Sequence, residues 1–118
     1  MRSYAWELLW NVVAMFVQEL PELERAYREH LAEYGDEPLV YIFFPDAVRD
    51  LERQLHEHRL SDDFYERSAS LIEKSLISKP ESHDLICLGL LDEIKTSTLW
   101  ELMRYRLGPK AIEAPKQD

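Results

Sequence analysis

Apolar residues return every three or four positions along nearly the whole chain, and this spacing constrains the fold more than any other feature. It is the period of an amphipathic α-helix. In the clearest case Leu23, Tyr27, Leu31 and Tyr34 follow at steps of four, four and three, between Pro21 and Gly35. A proline is tolerated in a first helical turn, Glu22 and Glu24 complement the positive end of the helix dipole, and Gly35 offers a left-handed cap. Glu24 with Arg28 and Arg25 with Glu29 stand four apart on the outward face, which supports a solvated helix.

The same pattern predicts about six helices. The first, Ser3 to Glu19, carries Trp6, Leu9, Val13 and Phe16 on one side and Leu8, Val12 and Met15 on another. Apolar nearly all round, it is expected to be central or to give one side to a partner. The run Leu39 to Phe44, six apolar and β-prone residues between Pro38 and Pro45, could be a buried strand. A lone strand has nothing to pair with and no second segment of that character exists. The preferred reading is therefore a buried helical turn that breaks near Pro45 and continues from Asp46 to Arg59, with Val48, Leu51 and Leu55 inward.

Ser61 or Asp63 is expected to cap a fourth helix, Asp63 with Glu66 resembling a capping box, and Phe64, Ala69, Ile72 and Leu76 form its inner face. Ser78, Lys79 and Pro80 close it. A fifth helix, Glu81 to Lys95, holds Leu85, Ile86, Leu88, Leu90, Leu91 and Ile94 and is expected at the centre of the fold. Thr98 and Glu101 make a second capping box before a short helix with Leu99, Leu102, Met103 and Leu107, ended by Gly108 and Pro109. The expectation is one all-α domain over residues 1–110, its antiparallel helices stacked as hairpins in a small bundle or a short helical-repeat-like domain, with residues 111–118 a frayed tail. No internal sequence repeat is evident.

Composition narrows function by exclusion. A single cysteine rules out a disulfide scaffold and a Cys-rich zinc module, and suits a reducing compartment, so a cytoplasmic protein is expected. The most apolar stretch, Tyr4 to Val17, is shorter than the about 20 residues a membrane span needs, and only Arg2 precedes it where a signal sequence would be basic. His56 and His58 stand two apart and point about 200° apart on a helix, while His83 and Cys87 could share a face but supply two ligands where structural zinc takes four. Neither a metal nor a cofactor is expected. No nucleophile elbow or phosphate-binding loop occurs, so no catalytic residue is assigned and a non-enzymatic role is expected.

The formal charge is −9, from 23 acids against 14 lysines and arginines, which disfavours nucleic acid as a partner. Residues 21–37 carry six acids and two arginines, and residues 80–98 carry four acids and one lysine. Such a surplus serves solubility, or it steers a basic protein partner. Under the second reading Glu33, Asp36 and Glu37 at one hairpin end and Asp92 and Glu93 at another are the partner-binding candidates, with Tyr34 and Tyr41 as aromatic anchors. Two alternatives stand beside it: a structural or adaptor protein that self-associates, as a homodimer would, through Trp6, Trp10 and Phe16, and an enzyme whose site is assembled from scattered residues.

Leu20 Pro21 Glu22 Leu23, then Tyr27, Glu29 His30 Leu31, Tyr34 Gly35 and the apolar run ending in Asp46 form an ordered series. Asp84 Leu85 Ile86, Gly89 Leu90 Leu91 Asp92 Glu93 and Leu107 Gly108 Pro109 Lys110 continue it. Over residues 18–112 the series resembles a family of small bacterial proteins known only as a domain of unknown function. Pro45 departs from that family's pattern. The resemblance implies an all-helical fold and transfers no catalytic residue. In size and acidity the chain also resembles the immunity proteins of bacterial toxin systems, which implies that it neutralises a toxin domain by binding it.

Overall fold

The helical period holds through the run that could have been a strand. In the computed structural model, which describes residues 4–35, 39–78 and 82–113, Val40–His56 form one helix. The order is α1 (Tyr4–Glu19), a 3-10 turn (Pro21–Leu23), α2 (Glu24–Tyr34), α3 (Val40–His56), α4 (Asp62–Ser78), a π-helical segment (Leu85–Leu91) continuing into α5 (Asp92–Lys95), α6 (Trp100–Met103) and α7 (Pro109–Glu113). No strand occurs among the described residues, and the fold is all-α. Its radius of gyration, 13.6 Å, matches the about 13.5 Å of a compact domain of this length.

α3 organises the core, lying against α2, the π-helical segment and α5. Val40, Phe43, Phe44, Ala47, Val48 and Leu51 are buried, a helical spacing that turns Tyr41 and Ile42 to the surface. Phe16 of α1 meets Phe44 edge-on at 5.4 Å, and Tyr27 of α2 meets Phe43 edge-on at 5.6 Å. The break expected near Pro45 is absent. Pro45 is the sixth residue of α3, so its missing N–H deprives only the carbonyl of Tyr41, a half-exposed residue of the first turn.

Other expectations are corrected by the packing. Of the apolar stripe, Leu23 is buried just before α2, Tyr27 and Leu31 are half-buried and Tyr34 is exposed, while Ala26 and His30, one residue round, are the buried residues of α2 itself. Gly35 ends α2 at φ +92°, the left-handed region only glycine enters without strain, and its N–H reaches the Leu31 carbonyl at 2.8 Å. Ser61 caps α4, its Oγ accepting from Phe64 N at 3.2 Å, while Asp63 pairs with Arg67. The second capping box does not form. Thr98 donates through N and Oγ1 to Glu52 of α3 at 2.9 and 3.0 Å, and Ser97 Oγ accepts from Leu99 N at 3.1 Å.

The central fifth helix is present but wound as a π-helix over Leu85–Leu91, with Asp92 N–H reaching back to the Cys87 carbonyl. Residues 111–113, expected to begin a tail, belong to α7, and Ala111 is fully buried there. α7 is held by Glu73 of α4, whose carboxylate accepts from Lys110 N at 2.7 Å and Ala111 N at 2.9 Å. A methyl group on Gly108 would lie 2.6 Å from the Glu73 carboxyl carbon and push the carboxylate off the helix end. Gly108→Ala is therefore expected to lower stability by about 1 kcal/mol, as loss of a helix cap does, readable as a fall in the urea midpoint. An unchanged midpoint would show that α7 does not depend on Glu73.

Candidate interaction surface

α2 and α3 lie side by side, and the faces they share build a polar cleft of about 230 Å³. Spacings of three and four put Glu29, His30 and Glu33 of α2 opposite Asp46, Arg49, Asp50 and Arg53 of α3. Most of its charge is paired. Asp46 takes Arg49, while the buried Asp50 takes Arg53 at 3.3 Å, Arg25 at 3.8 Å and the Gln54 amide at 2.8 Å.

His30, at the inner end of the cleft, has no solvent-exposed side-chain surface. Its Nε2 accepts from the backbone N–H of Leu39, just before α3, at 2.9 Å. That bond requires a lone pair on Nε2, so the ring proton sits on Nδ1, which faces Asp46 Oδ2 at 3.4 Å. The imidazole is flanked by Tyr34, centroids 4.7 Å apart, and by Phe43 edge-on at 5.7 Å. With both nitrogens engaged and the ring enclosed, His30 holds helices together.

Around the same end of α2 and α3 the chain exposes four large apolar side chains, Tyr34 at 41%, Leu39 at 39%, Tyr41 at 45% and Ile42 at 41%. Ile42 shares a stripe of α3 with Asp46, Arg49 and Arg53, so it continues the cleft wall outward. Leu39 and Tyr34 meet at His30. Tyr41 turns to the other flank of α3, towards Gly89 and Asp84; burial and the Asp84 charge push its phenol above the usual tyrosine range. Exposed apolar clusters of this kind mark interaction sites more often than scattered ones.

The acids divide into two sets. Glu24 pairs with Arg28, Glu29 with Arg25, Glu22 and Asp63 with Arg67, and Glu66 and Asp62 with Arg106. Glu33, Asp92 and Glu93 make no ion pair among the described residues. Of the sequence candidates, Glu33, Tyr34 and Tyr41 thus come to one end of the α2 and α3 pair, while Asp36 and Glu37 lie outside the described residues. Asp92 and Glu93 are half-buried in α5, in the last turn of the helical stretch that ends at Lys95 before the turn into α6. Leu39 and Ile42, expected in a buried turn from their apolarity, are exposed. The phase set by Val40, Phe43, Phe44 and Ala47 is the signal that turns them outward.

Two other features are separate from this surface. A groove of about 510 Å³ runs between α1 and α4 over Met15, Leu20 and Leu71, and Arg67 in its wall is held by Glu22 at 2.7 Å. Cys87 lies in the π-helical segment with the His83 ring nitrogens 3.7 Å from its sulfur. No group of three or more His, Cys, Asp or Glu able to hold a metal occurs among the described residues, and no helix there is long and apolar enough to cross a membrane. Burial pushes the Cys87 thiol up, with Asp84 and Asp92 adding to it against Lys95. Native Cys87 is expected to react with iodoacetamide more slowly than in urea, its pH profile displaced above the about 8.5 of a free thiol. Equal native and denatured rates would contradict its burial.

No protein-family model, curated protein or solved structure matches the chain.

Proposed function

We propose that this protein is a non-enzymatic binding module for a basic protein partner, in its most concrete form an immunity protein that neutralises a bacterial toxin in the cytoplasm by covering it. The observation that carries the reading is the exposed set of Tyr34, Leu39 and Ile42 beside Glu33, a carboxylate with no ion pair among the described residues, with Tyr41 exposed on the other flank of α3. Tyrosine is among the residues enriched at the few positions that dominate binding energy at protein interfaces, and charge at the rim sets encounter rate and partner sign. The net charge of −9 acts in the same direction at longer range.

The test is co-expression with the product of the adjacent gene, reading rescue of growth and a purified complex. The expected partner has a basic contact surface, and the complex weakens in Tyr34→Ala and in Glu33→Lys. A complex indifferent to both substitutions, or one with an acidic partner, would overturn the reading.

A further inference from the structure

One enclosed imidazole, that of His30, meets the proposed interaction surface from behind at the Tyr34 ring and at the Leu39 backbone. Leu39 stands at the N-terminal end of α3, and its side chain offers no cap to that helix. Its N–H is instead taken by a side chain from α2, the Nε2 of His30, at 2.9 Å. The ring's other face and edge meet Tyr34 and Phe43, and its Nδ1 faces Asp46, which Arg49 holds in turn. One buried side chain is thereby joined to two of the four exposed apolar residues, Tyr34 through the ring and Leu39 through the backbone. Ile42 is fixed with them, since its own N–H returns to the Leu39 carbonyl at 2.8 Å. His30 also faces the charges of the cleft, Glu33 on its own helix and Asp50 and Arg53 on α3.

We infer that His30 is a positioning residue for partner binding: it sets the relative placement of Tyr34, Leu39 and Ile42, and so determines affinity for a partner that cannot touch it. The inference rests on the proposed binding role and names the residue that regulates the geometry of that surface. Its chemical requirement is specific. The position needs one acceptor toward Leu39 and one donor toward Asp46, at a distance a compact polar side chain can bridge. Glutamine carries both groups on one amide and leucine carries neither.

The experiment compares the full chain with His30→Gln and His30→Leu by NMR. In the unaltered protein the His30 nitrogen signals should show Nε2 unprotonated and Nδ1 protonated, and the Leu39 amide should be protected from exchange. In His30→Leu the Leu39 amide is expected to exchange roughly tenfold faster, as for a lost hydrogen bond. The signals of Tyr34 and Ile42 should move while those of Ile72 and Leu99, in the core away from α2, stay in place. His30→Gln should restore the protection and most of the shifts.

A synthetic basic peptide of alternating arginine and tryptophan serves as the probe of the surface. Its binding should perturb Tyr34, Leu39 and Ile42 in the unaltered protein, weaken several-fold in His30→Leu and recover in His30→Gln. A protonated Nε2, or a Leu39 amide that exchanges freely in the unaltered protein, overturns the inference without any variant having to fold. Surface signals unmoved in His30→Leu overturn it as well. A peptide that binds elsewhere while the exchange results hold overturns the partner reading, and the positioning role falls with it.

Discussion

Phe44→Ala is expected to destabilise the protein by about 3–5 kcal/mol, the range for removing a fully buried phenylalanine. Phe44 has no exposed surface and lies where three elements meet. Phe16 of α1 meets it edge-on and Phe43 packs beside it at 5.4 Å, while a side chain on Gly89 of the π-helical segment would reach it at 3.7 Å. Its loss opens a cavity that the surrounding helices cannot fill by rotating a single side chain. Domains of this size have about 5–15 kcal/mol in total, so the variant should melt more than about 10 °C lower. Ile42→Ala, two residues away in the same apolar run, should move stability within about 0.5 kcal/mol. The contrast tests the helical phase of α3. Equal losses at both positions, or a larger loss at Ile42, would show that the run is buried differently.

That run shows where the sequence was legible and where it was not. Helical period was readable because it is a local property of spacing, and it held in α1, in α2 and in α4, where Phe64, Ala69, Ile72 and Leu76 are buried as the spacing predicts. Phase was less readable, because it depends on which neighbour covers which face. On α2 the inner face takes in Ala26 and His30 together with Leu23 and Tyr27 of the stripe, and leaves Tyr34, its far end, exposed. Interactions within one turn or two, such as Glu24 with Arg28, could be read from spacing. Those that close the fold could not: Glu22 reaches Arg67, Glu52 reaches Thr98, and Glu73 reaches Lys110. Of the proposed surface, Glu33 and Tyr34 are residues that charge and aromatic character single out in the sequence. His30 was missed because nothing in a single sequence shows that its acceptor would meet a backbone N–H from the next helix.

Tyr34→Ala is expected to weaken the complex with a basic partner by about 2 kcal/mol or more, roughly 30-fold in Kd, the threshold of an interface hot spot. The ring is rigid, half-exposed and braced by His30, so it carries contact area with little conformational freedom to lose on binding. Most of the loss should appear as faster dissociation, since contact residues act chiefly on the off-rate. Glu33→Lys should act differently. Its carboxylate is exposed and without an ion pair among the described residues, so reversing its charge should slow association and leave folding stability within about 0.5 kcal/mol. Raising salt should shrink the Glu33 effect, because exposed charges are screened over about 8 Å at physiological ionic strength, and leave the Tyr34 effect largely intact. Asp92→Lys and Glu93→Lys, at half-buried positions in the last turn of their helical stretch, should alter association less than Glu33→Lys. Surface-binding kinetics at two salt concentrations separate these outcomes. If Glu33→Lys changes dissociation instead of association, its carboxylate is a buried contact in the complex, and the steering account fails. If Tyr34→Ala leaves both rates unchanged, the exposed cluster is not the contact surface, and the α1 face with the half-buried Trp10 becomes the one to test for self-association, without Phe16, which is buried against Phe44.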